Sequence, residues 1–95
     1  MKLFFDWDLG NIKKSELKHG ILVAESESIF NDNNKLVFDD IKHSISEKRY
    51  ICIGKSNENR VLFCYFTIRG IKMRIIGIRI ANRKEKALYE KGLEK

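Results

Sequence analysis

The sequence predicts a small α+β fold: an antiparallel β-sheet with two short helices towards the amino terminus and one at the carboxyl terminus. Three observations carry that expectation. Residues 60–80, RVLFCYFTIRGIKMRIIGIRI, are rich in Val, Ile, Phe and Tyr and break at Arg69-Gly70, the pattern of two long strands joined by a tight turn. Both strands are apolar at both parities, so they belong inside a sheet and not at its edge. Residues 8–20 and 82–92 each open on a capping residue and close on a glycine, the punctuation of helices.

Taken in order, KLFFDW (2–7) alternates so that Leu3, Phe5 and Trp7 share the inner face of a half-buried first strand. Asp8 caps a helix whose buried stripe is Leu9, Ile12 and Leu17, with Lys13, Lys14, Glu16 and Lys18 left polar and Gly20 as a left-handed cap. His19 ends this helix, where the dipole favours a cation, and reads first as a cap. Residues 22–31 suggest a second short helix, with Leu22, Ile29 and Phe30 inward and Glu25, Ser26 and Glu27 outward. KLVFDD (35–40) forms a strand, residues 40–49 a polar connection, and RYICIGKS (49–56) a strand with Ile51 and Ile53 on one face and Tyr50, Cys52, Gly54 and Ser56 on the other. Arg74 and Arg79 are an odd number of residues apart, so strict alternation sends them to opposite faces; a bulge near Gly77 would return them to one. The last helix has a capping box, Asn82 with Glu85, and a stop at Gly92. Its apolar residues are few, chiefly Ala87 and Leu88, which predicts loose docking. Trp7, Phe30 and Phe38 are assigned to the core.

Ninety-five residues suit one domain. No apolar run is long enough to cross a bilayer and no secretory leader pattern opens the chain, so a cytoplasmic protein without membrane contact is expected. Cys52 and Cys64 fall inside strands, without ligand spacing, and read as reduced core residues. The net charge of +6 is unevenly placed: residues 1–68 hold ten basic and ten acidic side chains, residues 69–95 nine and three. A basic block on folded strands is either a solvated face or the footprint of a polyanion. Walker, dinucleotide-binding and HExxH motifs are absent, and the one adjacent carboxylate pair, Asp39-Asp40, would point to opposite sides of a strand. Neither a cofactor nor a metal is therefore expected. RNA cleavage by its own 2′-hydroxyl remains open, since it needs only a proton acceptor, a proton donor and fixed positive charge on the phosphorane. Arginine suits the last of these. His43, Ser44, Glu47 and Arg49 stand together in one connection where proton transfer could occur, although each is also ordinary in a solvated loop.

An ordered series of short motifs narrows the choice: FDWD at 5–8, Asn11 and Lys14, KHG at 18–20, IF-x-D at 29–32, D-x-x-HS-x-x-E-x-R at 40–49, IG-x-S at 53–56 and R-x-L…Y-x-T-x-R at 60–69. RII at 74–76, R-x-A at 79–81 and R-x-E-x-x-x-Y-E at 83–90 complete it. In this series the chain resembles the BrnT family of toxins. That resemblance implies a RelE-like fold and a metal-independent endoribonuclease of a type II toxin–antitoxin system. It also implies a cognate BrnA-like antitoxin of ribbon-helix-helix type, through which alone the complex would touch DNA. By the same analogy Arg60, Arg74, Arg79, His43, Glu47 and Tyr89 are candidate catalytic residues, and Arg49, Arg69, Arg83 and Lys84 candidate RNA contacts. The competing readings are a basic RNA-binding domain without catalysis and a degenerate toxin that only partners its antitoxin.

Overall fold

A computed structural model describes residues 3–94 of the chain. Its elements are β1 (Phe4–Asp6), α1 (Leu9–His19), α2 (Val23–Ser28), β2 (Leu36–Asp39), β3 (Arg49–Lys55), β4 (Val61–Arg69), β5 (Lys72–Ile80) and α3 (Arg83–Leu93), with single 3₁₀ turns at Ile29–Asn31 and Ile41–His43. Five strands form one sheet in the order β1-β5-β4-β3-β2. Every neighbouring pair is antiparallel except β1 with β5, which run parallel. The long hairpin lies inside the sheet as its double-sided apolar pattern requires, and its turn uses Gly70 at φ 62°. The predicted first strand began at Lys2, outside the described residues.

The sheet buries a different set of side chains on each face. On one, Cys52, Leu62, Cys64, Phe66, Ile75 and Ile78 meet Ile21, Ile29 and Phe30 from the helical segment, with Phe5, Trp7, Tyr50 and Met73 packed at the margin. Each of the fully buried aliphatic side chains contributes about 1.5–3 kcal/mol relative to exposure. Cys52 and Cys64 face each other across β3 and β4 as free thiols, and burial pushes the Cys52 thiol up to about 12. On the other face Ile53, Phe63 and Ala81 meet Tyr89 of α3, with Leu36, Ile51, Val61 and Tyr65 beside them.

Caps follow the sequence closely. Asp8 accepts from the backbone N–H groups of Gly10 (2.8 Å) and Asn11 (3.3 Å), Gly20 ends α1 at φ 63°, and Asn82 and Glu85 form a complete capping box. The helix interiors depart from it. Leu9 and Leu17 are 79% and 87% exposed, and the buried residue of α1 is Ser15. In α2 the polar residues face inward: Glu25 and Ser26 are buried and Leu22 is exposed, because Glu25 is the acceptor for an arginine and a serine beneath it. Phe38 is exposed as well, on the edge strand of the sheet. Helix α3 docks through Tyr89 instead of Ala87 and Leu88, and it continues through Gly92 to Leu93. Gly92 lies within the helix against the side chain of Leu36 and is not its stop.

Candidate active face

The face of the sheet that carries α3 is covered only in part, and its open half gathers most of the candidate residues. A cross-strand row of paired positions runs Asp6, Arg74, Thr67, Arg49 from β1 to β3. The next row runs Gly77, Tyr65, Ile51, Phe38, and the third Arg79, Phe63, Ile53, Leu36. Tyr65 pairs with Gly77 and Phe66 with Ile75, so Ile76 is the extra residue of a bulge. That one residue shifts the parity of β5 and brings Arg74 and Arg79 to the same face, as the odd spacing demanded.

Arg74 Nη1 donates to Asp6 (3.0 Å), and its Nη2 lies 3.5 Å from Asp8, so the residue that caps α1 also steadies the guanidinium. Arg69, at the end of the same face of β4, donates to Glu47 (3.1 Å) from the connection between β2 and β3. The hydrogen bond from Arg69, reinforced by the charges of Arg69, Arg49 and Arg74, holds the Glu47 carboxyl below its usual range, so it is an acceptor and not an acid. Arg49 has no carboxylate within ion-pair distance among the described residues, which leaves its guanidinium open. Arg79 forms a two-pronged pair with Glu85 (2.7 and 2.8 Å) and lies over the Phe63 ring at 4.2 Å. Burial raises the Glu85 carboxyl, but the bonds from Arg79 and from the Asn82 N–H outweigh it and the group stays ionised.

His43 closes the side of this surface. Its Nδ1 lies 2.9 and 3.1 Å from the two oxygens of Asp40, which is 6% exposed, and its ring meets Tyr65 edge-on with centroids 6.2 Å apart. A carboxylate only accepts, so this contact puts a proton on Nδ1, and in the neutral ring Nε2 is then the acceptor. The loop is tied down by Ser44, whose hydroxyl donates to the Asp40 carbonyl (2.7 Å) and accepts from the Arg49 N–H (2.9 Å). The backbone of Arg49 and the residue that orients the imidazole are thus tied into one knot. Sequence reasoning missed Asp40 and Tyr65 as members of the site; the D-x-x-H spacing, which spans one 3₁₀ turn, is the signal for the first.

Two catalytic candidates are not brought to this surface. Arg60 points to the opposite face, where its Nε donates to Glu25 (2.8 Å), its Nη2 pairs with the same carboxylate, and Nη2 also donates to the Gly20 carbonyl (3.1 Å). Glu25 accepts from Ser56 Oγ as well (2.7 Å), so Arg60 joins the α1 cap, α2 and the β3–β4 turn. Tyr89 is 3% exposed and donates to Asp32 at 2.5 Å; burial first, and then this bond, pushes its hydroxyl up to about 12. A phenol so placed neither reaches solvent nor gives up its proton, and its role is to seat α3. Arg83 and Lys84 lie exposed on the first turn of α3, and neither has an ion pair among the described residues.

No group of three His, Cys, Asp or Glu side chains among the described residues could hold a metal ion, and no helix among them is long and apolar enough to cross a membrane. The helix caps, the bulged central hairpin and a basic open face define a class that comparison makes specific. Residues 7–85 match the family model described as the ribonuclease toxin, BrnT, of type II toxin–antitoxin systems. The chain belongs to the BrnT family. The fold is similar to that of the Brucella abortus ribonuclease toxin BrnT, with a TM-score of 0.65 over 86% of this chain and 100% of that one at 22% identity. Comparison with curated protein sequences gave no match. As a toxin of a type II system the protein has an antitoxin for a partner.

Proposed function

We propose that this toxin is a metal-independent endoribonuclease that cleaves single-stranded RNA, mRNA above all, in the cytoplasm, by attack of a ribose 2′-hydroxyl on the adjoining phosphate. The bulge at Ile76 carries the reading, because it turns Arg74 and Arg79 to the same face as Arg49, Tyr65 and the Asp40-oriented His43. His43 Nε2 takes the 2′-proton as the O2′–P bond forms; Arg49 and Arg74 hold the two non-bridging oxygens as charge builds on them. The O5′–P bond then breaks, and the leaving oxygen takes a proton from water or from the imidazolium, giving a 2′,3′-cyclic phosphate and a 5′-hydroxyl end. Arg69, Arg79, Arg83 and Lys84 line the approach for flanking phosphates, and Glu47 keeps Arg69 and its neighbours in register. A BrnA-like ribbon-helix-helix antitoxin would silence the toxin by covering this face, and would supply the complex's contact with DNA.

The test is incubation of purified toxin with a defined single-stranded RNA in excess chelator, followed by analysis of the ends. Cyclic phosphate and 5′-hydroxyl ends, lost with His43→Ala or Arg74→Ala at unchanged folding, are expected. RNA binding without products would leave a non-catalytic partner of the antitoxin, and products that vanish with the chelator would remove the metal-free mechanism.

A further inference from the structure

Helix α1 turns the wrong side outward. Asn11, Lys14, Ser15 and Lys18, spaced i, i+3, i+4, i+7, occupy one helical face, and that polar face looks towards the sheet while Leu9 and Leu17 look towards solvent. The reason lies in the edge it covers. Strand β1 pairs with β5 only over Lys72–Arg74, so beyond Arg74 the β5 edge has no strand partner, and Asn11 Nδ2 donates to the Ile75 carbonyl (3.4 Å) instead. Between the helix and that edge lies a groove of about 370 Å³, walled by Lys14, Lys18 and His19 and closed by Tyr65, Gly77 and Arg79. No Asp or Glu lines it. Neither lysine has a carboxylate within ion-pair distance among the described residues, in contrast to Arg69, Arg74 and Arg79.

Cations that face into a cleft without a counter-charge fit an anionic occupant. The groove shares Tyr65 and Arg79 with the open face, so a chain lying on the arginine row runs into it without a break. Its volume suits about one nucleotide, and the Tyr65 ring, which lies across Gly77 because that residue has no side chain, offers a stacking surface.

We infer that this groove is a second nucleotide subsite, in which Lys14 and Lys18 hold a phosphodiester flanking the scissile one in a single-stranded RNA. The inference rests on the RNA-cleaving reading for the direction of the strand, and on the groove's own charge for the ligand class.

The experiment compares binding of two fully 2′-O-methylated, non-cleavable RNAs, a dinucleotide, whose one phosphodiester fills the scissile position, and a strand of about eight nucleotides, to the intact toxin and to Lys14→Ala/Lys18→Ala. The advantage of the longer RNA over the dinucleotide should fall about tenfold at moderate salt, and its plot of log K against log salt should flatten by about 0.7, the share of the one phosphate left without its lysines. Lys14→Arg/Lys18→Arg should keep most of both, which separates charge from folding. An undiminished advantage with an unchanged slope overturns the subsite, as does an equal loss on both lengths. If unmodified RNA is bound with the lysine-dependent slope but never cut, the catalytic reading fails and the subsite stands. An acidic peptide that binds the groove while the RNA slope ignores the lysines would assign it to a protein partner and overturn the proposal.

Discussion

The two faces of the sheet use the same chemistry for opposite ends. Each carries an arginine from the central hairpin bonded to a carboxylate: Arg60 to Glu25 on the helix-covered face, Arg74 to Asp6 and Asp8 on the open one. Glu25 is 5% exposed and its carboxylate also accepts from the Ser56 hydroxyl, so nothing from outside can replace it. The side chains of Asp6 and Asp8 are 35% and 51% exposed, within reach of water and therefore of a competing phosphate. A carboxylate partner alone does not make an arginine structural. What decides is whether that partner is itself exchangeable.

The largest effect that separates the faces is on rate. Arg74→Ala should slow RNA cleavage by about 10²–10³-fold, the usual cost of one preorganised donor to a developing oxyanion, while moving the urea midpoint little, since its partners Asp6 and Asp8 keep their access to water when the guanidinium is gone and such pairs contribute about 0–1 kcal/mol. Steady-state kinetics and a denaturation curve on one preparation check this. A loss of stability matching the loss of rate would erase the contrast.

Arg60→Ala should give the reverse, lowering stability by about 2 kcal/mol. Removing one member of a buried pair costs more than that, but this guanidinium is a third exposed and part of its solvation survives. Cleavage below the lowered melting temperature should persist. The pair also predicts a direction with pH. Its hydrogen bonds, Arg60 foremost, hold the Glu25 carboxyl below its ordinary 4.5 against the effect of burial. An acid whose folded value is depressed contributes stability above its unfolded value and loses it as pH falls through the folded one. Unfolding followed from pH 6 downwards should therefore weaken below about 4.5 in the wild type, and less steeply in Arg60→Ala.

How far the sequence could be read follows from the same contrast. Caps, the central hairpin and the β5 bulge were legible because they depend on neighbours in sequence: Asp8 and Gly20, Asn82 and Glu85, and the odd spacing of Arg74 and Arg79 around Gly77. The face of α1 and α2 was not, because hydrophobic periodicity assumes an apolar floor. Here α1 lies over a sheet edge with free backbone carbonyls, and α2 over Arg60 and Ser56, so polar residues turn inward. In the candidate site, His43, Arg49, Arg74 and Arg79 came out together for a reason visible in the spacing. Arg60 and Tyr89 did not, since each is claimed by a carboxylate distant in sequence, Glu25 or Asp32, that no local pattern announces.

Tyr89→Phe sharpens the boundary between the covered and the open parts of one face. The variant keeps the ring against Ile53 and Phe63 and loses one hydrogen bond to Asp32, which still accepts from the Lys55 N–H (2.8 Å) and the Asn34 N–H (2.9 Å). A cost of about 1 kcal/mol with no change in cleavage rate is expected. A rate loss at full stability would return Tyr89 to the catalytic set.

The smallest effect concerns the far end of α3, which decides how much of that face stays covered. Were Gly92 the left-handed stop that the sequence suggests, Gly92→Ala would cost about 1 kcal/mol, as a Cβ at positive φ does. Gly92 instead lies within the helix, and positive φ is confined among the described glycines to Gly20 and Gly70. Alanine there gains up to about 1 kcal/mol of helix propensity, against the crowding of its Cβ on Leu36 Cδ2 at 3.3 Å. The crowded atom is the end of a rotatable side chain on an edge strand, so it gives way cheaply and the net should be a gain of a few tenths of a kcal/mol. Calorimetry on Gly92→Ala beside Gly20→Ala reads the two signs together: a slight rise for the first and a clear fall for the second place the end of α3 beyond Gly92, and a fall in both would place it before.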